Sequence, residues 1–138
     1  MLLVVADIDR TAPRCAVSSF GYKHGPNSDA DWVVDVRFLD NPFWVPELRP
    51  LTGLEEPVRE FVMRQAAAGD FIQRLASLLG WTLQRGRDRG HNGLRVAVGC
   101  TGGRHRSVVM AEALAQQLRQ QGIEVDLRHR DVERPDPR

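Results

Sequence analysis

Apolar residues fall into short runs and stripes separated by turn-forming residues, and two periodicities are present. "CAVSSF" (15–20) and "WVVDVRFL" (32–39) are rich in Val and Phe and bounded by Gly, Pro, Asn and Asp, which predicts strands. In the second, Val34, Val36 and Phe38 fall on one face, Asp35 and Arg37 on the other. From Leu54 to about Gln65 the spacing turns helical, with Leu54, Val58, Phe61, Val62 and Gln65 on one side and Pro57 tolerable in the first turn. Gly69 and Asp70 mark a break and an N-cap. Phe71, Leu75, Leu78, Leu79 and Thr82 then lay a second stripe as far as "RGRDRGHNG" (85–93). A strand over 94–99, a helix over 104–121 and a strand over 124–129 close the pattern. The helix buries Val108, Ala111, Ala115 and Leu118 and stops at Gly122, a C′ glycine. Such a strand–helix–strand unit is the crossover that parallel strands require. The fold class predicted is α/β: a single domain whose βαβ-containing sheet is flanked by helices. "DNPFWVPELRPLTG" (40–53), with three Pro, reads as an irregular connection, long enough to suggest function.

Composition changes this picture little. At 138 residues, 42% hydrophobic and 27% charged, the chain is one globular domain. No apolar run approaches the roughly 20 residues of a membrane helix. "MLLVVADIDR" lacks the basic start of a signal peptide. Two cysteines, Cys15 and Cys100, make no disulfide framework, so the expected compartment is the cytoplasm. Net charge is only +1, which argues against a general polyanion binder. Lys23 is the one lysine, so the cations are almost all arginine, suited to bidentate contacts. Arg85, Arg87, Arg89 and Arg95 form one basic cluster and "RHR" (128–130) another, the latter diluted by the acids that follow.

The chemistry concentrates in "VAVGCTGGRHRSVVMAEALAQQLRQ" (96–120). An apolar strand ends at Cys100, and Thr101, Gly102, Gly103, Arg104, His105, Arg106 and Ser107 lead into a helix. Glycines let successive backbone N–H groups converge on one point. A helix start leaves N–H donors unpaired and carries about half a positive charge. Two arginines and two hydroxyls complete a cradle for a tetrahedral oxyanion, most naturally phosphate. The same spacing, C-x5-R-[ST], is that of Cys-dependent phosphatases, in which a thiolate attacks phosphorus. On that alternative Cys100 is the nucleophile, Arg106 holds the phosphoryl oxygens, and Glu47 or Asp40 protonates the leaving group. The His that usually precedes the nucleophile is replaced by Gly99. No His, Cys or Asp spacing matches a metal pattern, and neither metal nor cofactor is expected.

Five segments occur in a telling order: "SFGYKHG" (19–25), "ADWVVDVRFLDNPFW" (30–44), "ELRPLTGLEEPVREFV" (47–62), "VAVGCTGGRHRSVVMAE" (96–112) and "RHRD" (128–131). They resemble the C-terminal domain of the RapZ family, also called the YvcJ family or RNase adapter proteins. The resemblance covers roughly 15–131 and leaves 1–14 unassigned and 132–138 as a flexible tail. It implies an α/β domain similar to the sugar-phosphate-binding half of phosphofructokinases, and our expectation is a ligand-sensing domain that is not an enzyme. It further implies binding of glucosamine-6-phosphate or a related phosphorylated amino sugar, binding of small RNAs presented to RNase E, and self-association as a homo-oligomer. Carried onto this chain, Cys100 through Ser107 hold the phosphate, and His24, Arg37 and Asn41 line the facing wall and read the sugar. Arg128, His129 and Arg130 are the residues available to RNA. Family members also carry a P-loop ATPase-like domain, but its G-x4-G-K-[ST] is not in this sequence, where Lys23 precedes His24. No NTPase activity is carried over, and an ATPase-like partner would be a separate protein or part of a longer chain.

Overall fold

A computed structural model describes residues 13–136 except 28 and 92. Four strands, β1 (Arg14–Gly21), β2 (Trp32–Asp35), β3 (Gly93–Cys100) and β4 (Glu124–His129), form one sheet in the order β2-β3-β1-β4. All three pairings are parallel. Three helices, α1 (Glu56–Met63), α2 (Ala66–Arg87) and α3 (Arg106–Gln120), flank it. The expected α/β class is the one observed. The β3–α3–β4 unit is also present, although β1 lies between its two strands.

The helices pack on one another, α3 lies across β1, β3 and β4, and α2 reaches β3, so all three share one face of the sheet. On that side Cys15, Val17, Val96 and Val98 meet Val109, Met110, Leu114 and Leu118 in one core. Burial there pushes the Cys15 thiol up to about 12, helped by the nearby Asp31 carboxylate. The β1–β2 connection runs over the opposite face. Asn27 Nδ2 donates to Ser18 Oγ (3.3 Å), and Ser18 alternates with the core-facing Val17.

Helix α3 follows its sequence pattern closely. Val108, Ala111, Ala115 and Leu118 are all buried, and Gly122 has φ +80°. Gly122 N–H bonds Arg119 O and Ile123 N–H bonds Leu118 O, the two bonds of a Schellman ending. Elsewhere the boundaries move. β2 stops at Asp35 instead of continuing to Leu39, because Arg37 and Phe38 form a turn; Val36 is buried but Phe38 is exposed. Leu54 is exposed and precedes α1. Its turn is closed by Glu55 Oε2 accepting from Thr52 N–H (2.6 Å), while Thr52 Oγ1 accepts from Leu54 N–H. The break expected at Gly69–Asp70 lies instead at Arg64–Gln65. Gln65 is extended (ψ 123°), and three alanines carry α2 through Gly69. The buried stripe of α2 is Ala68, Ile72, Leu75, Ala76, Leu79 and Leu83; Leu78 points outward. The connection over 40–53 is not structureless. A 3-10 turn spans Pro42–Trp44, and successive turns follow it.

Candidate functional site

The carboxyl ends of the strands bring together β1's exit (Gly21–His24), β2's exit (Asp35–Arg37), the loop after β3 and the residues after β4. A glycine at each contact allows the first and third to touch. A Cβ on Gly21 would strike the Gly102 carbonyl and stand 2.6 Å from Gly103 N; one on Gly103, at φ +82°, would stand 2.5 Å from Gly21 N. Only hydrogen fits on either side. Lys23 N–H then donates to Thr101 O (3.0 Å), fastening the 3-10 turn Tyr22–His24 to the loop.

Behind this contact sits Asp131, completely buried. Its carboxylate accepts from Gly21 N–H (2.8 Å) and from Arg130 Nη2 (2.8 Å), with Arg134 Nε at 3.4 Å. Burial pushes its pKa upward, but the Arg130 and Gly21 bonds outweigh that and hold it below the usual carboxylate value. Arg130 also donates to the carbonyls of Pro26 (2.9 Å) and Gly25 (2.8 Å) and lies over the Phe20 ring. Sequence reasoning passed over Asp131; its signal is an acid placed directly after a strand and a basic pair.

The loop residues have distinct surroundings. Arg106 is buried, and its Nη1 donates to the carbonyls of Arg37 (3.0 Å) and Leu39 (2.9 Å), its Nη2 to Thr101 Oγ1 (3.3 Å). It ties the β2 turn to the loop. Arg104 is half-buried and donates through Nε to Val132 O (3.2 Å). His105 is buried, and its Nε2–H donates to Leu51 O (2.7 Å). Burial lowers its pKa, so the neutral ring is favoured. A Cβ on Gly53 would lie 2.6 Å from His105 O, so the 45–53 segment packs flush against this helix start. Cys100 is buried, and its thiol donates to Ser107 Oγ (3.1 Å). Gly99 has a packing reason: a Cβ there would lie 2.6 Å from Phe20 and 2.7 Å from Tyr22. Glu47 and Asp40 are exposed, Glu47 in the turn after the 3-10 segment.

On the facing wall, Arg37 pairs with Asp35 (Nη2–Oδ2 2.8 Å) and stacks on Tyr22 at 4.1 Å. The Arg37 bond holds Asp35 below its ordinary pKa, whereas burial and then Asp35 itself raise that of Tyr22. Tyr22 was not foreseen as part of this wall. Asn41 Oδ1 accepts from Phe43 N–H (3.1 Å), capping the 3-10 turn. His24 Nε2 is a buried atom with no hydrogen-bond partner.

Of the three residues offered to RNA, Arg128 extends outward and pairs with Asp126 (3.2 Å). His129 turns inward, with Nδ1 at 2.6 Å from Ser19 Oγ and Nε2 at 2.7 Å from Glu112 Oε2. Arg130 belongs to the Asp131 network. Among the described residues no three His, Cys, Asp or Glu cluster as metal ligands would, and no helix is long and apolar enough to cross a membrane.

The family model for the RapZ C-terminal domain matches residues 13–133. A "Nucleotide-binding protein" of Thermobifida fusca is 51% identical over 124 residues, covering 90% of this chain and 42% of that protein. One from Streptomyces coelicolor is 52% identical over 121 residues (88% and 40%), and one from Corynebacterium jeikeium 46% over 129 (94% and 44%). The chain therefore spans somewhat under half the length of these relatives. With most of its length matched by that model, and with the fold and loop described above, the chain belongs to the RapZ C-terminal domain family.

Proposed function

We propose that the carboxyl end of the sheet binds a phosphorylated metabolite of the amino-sugar phosphate class, and that the domain reports this ligand as a sensor or adapter without transforming it. The observation that carries the reading is the glycine-only contact between β1's exit and the loop after β3. It sets the backbone amides of residues 101–105, the start of α3 and Arg104 beside the turn that holds His24. Amides at a helix start favour an anion. A buried imidazole nitrogen without a partner carries a cost of about 1–3 kcal/mol, which a hydroxyl of a bound sugar would relieve. The Asp35–Arg37–Tyr22 stack offers acceptors and donors for the remaining polar groups. Calorimetric titration with hexose 6-phosphates, with and without a 2-amino group, tests this. Binding of the phosphorylated sugars and none of their unphosphorylated forms is expected, with weaker binding by His24→Phe. No heat from any of these phosphates would overturn the reading.

The alternative, a Cys-dependent phosphatase, draws on one contact, Cys100 Sγ to Ser107 Oγ at 3.1 Å. Against it stand the burial of Cys100 and the aromatic rings that leave no room for a supporting His at 99. We expect no turnover of p-nitrophenyl phosphate. A rate abolished by Cys100→Ser would promote the phosphatase.

A further inference from the structure

The turn that follows β4 is fastened to both halves of the glycine contact. The strand end before it is pinned: His129 is held between Ser19 and Glu112, and Arg130 N–H donates to Ser19 O (3.0 Å). Beyond this point Arg134 N–H donates to Asp131 O (3.0 Å) and closes a turn over Asp131–Arg134. On one side the buried Asp131 carboxylate accepts from Gly21 N–H at β1's exit. A Cβ on Gly103 would stand 2.9 Å from that of Asp131, so the turn also lies against the loop after β3. On that second side Arg104 Nε donates to Val132 O (3.2 Å).

The two fastenings differ in kind. Asp131 is buried and charge-assisted, with Arg130 at 2.8 Å and Arg134 at 3.4 Å on the same carboxylate. The Arg104 bond comes from a long, half-buried side chain that loses much rotamer freedom when held. A bond within reach of water does little more than offset that loss. It uses Nε, which is compatible with an end-on, bidentate grip of an oxyanion by Nη1 and Nη2. Once an anion fixes the guanidinium in that way, the rotamer freedom is already lost. The bond from Nε to Val132 O then forms at no further entropic cost.

We infer that the turn Asp131–Arg134 is the reporting element of the anion site: an oxyanion on the loop fixes Arg104, and Arg104 in turn stiffens the turn through Val132. This rests on the sugar-phosphate reading of the site and names how occupancy is passed on. Such coupling by ordering requires no rearrangement of the sheet. It is also reciprocal, because a turn that is firmly held keeps Arg104 where the anion needs it. Glu133 and Arg134 are exposed, so the state of the turn is readable from outside the domain.

Hydrogen exchange of the full chain, resolved by residue with NMR, tests the inference. Glucosamine 6-phosphate is the probe, and calorimetry on the same samples verifies saturation. The Arg134 amide, which closes the turn, should exchange about fivefold more slowly or less when the site is full, and β4 should slow by a smaller factor. Unphosphorylated glucosamine should leave both unchanged. Arg104→Lys keeps the cation but has no second edge, so it should bind more weakly and lose most of the protection even when saturated. Asp131→Asn, with its fold verified by circular dichroism, should weaken binding about fivefold by reciprocity. Binding without protection of the turn, faster exchange there, or full protection in saturated Arg104→Lys would each overturn the inference and leave the sugar-phosphate site standing. Absence of binding would remove both.

Discussion

Two arginines two positions apart on one loop have different work. Arg104 donates to Val132 O and stands half-buried, whereas Arg106 is buried among the carbonyls of Arg37 and Leu39 and the Thr101 hydroxyl. Hydrogen bonds to charged groups are worth roughly 1.5–3 kcal/mol each. Arg104→Ala should thus weaken sugar-phosphate binding about tenfold or more at unchanged stability, as titration and urea unfolding can show together. Arg106→Ala should lower the unfolding free energy by about 3 kcal/mol, because it leaves buried carbonyls without donors. A second residue-scale expectation concerns His105. Its burial depresses the folded pKa below 6.5, so the unfolded chain binds the proton more readily. The contribution is intact above about pH 6.5 and declines as pH falls from there toward the lower folded value. Unfolding free energies at a series of pH values should fall less for His105→Gln than for the wild type below pH 6.5. The loop's residues were legible as a group from the glycines and arginines of 101–107. Their division of labour was not, since it depends on which carbonyls of residues 37–51 come within reach, and those are set by a segment far off in sequence.

Among elements, α3 was readable because its buried face meets a sheet along its whole length, so that periodicity and burial coincide. In α2 they part. Leu78 satisfies the helical spacing yet faces solvent, while Ala68 and Ala76, apolar but small, are in the core. Gly69 looked like punctuation and is an ordinary helical residue, since helix propensity over Ala66–Ala68 outweighs one glycine. That makes a sharp contrast available. A Cβ on Gly69 meets nothing within 4 Å, so Gly69→Ala should stabilise the protein by about 0.5–1 kcal/mol. Gly21→Ala, with backbone in the way, should destabilise it by more than 1 kcal/mol and abolish ligand binding. Thermal melts of the two variants should shift in opposite directions. The short β2 has a related lesson: Val34, Val36 and Phe38 alternate as a strand would, but Asp35 accepts from Arg37 N–H at 2.9 Å and turns the chain.

At the scale of the molecule, acids answer many of the arginines among the described residues. Arg14 pairs with Glu124, Arg59 with Glu56, Arg64 with Glu60, Arg95 with Asp31 and Arg128 with Asp126. A surface neutralised pair by pair presents few cations to a phosphate backbone. We expect weak RNA binding by a single copy, with a shallow dependence on salt, since the slope scales with the phosphates neutralised. Filter binding across ionic strength measures this, and tight binding by a monomeric variant at physiological salt would contradict it. The strand order has a consequence of another kind. β1 precedes the other three described strands and lies inside the sheet, yet both its neighbours, β3 and β4, come from the last third of the sequence. Its Val17 and Phe20 must stay uncovered while α1 and α2 are being made, and the loop closures that pair it are among the longest this chain permits. Local helices can form early, but the sheet cannot begin to close before residue 93 has emerged. Folding of this domain is thereby deferred until β3 has been made, and during that wait the exposed β1 is the segment most in need of protection from wrong partners.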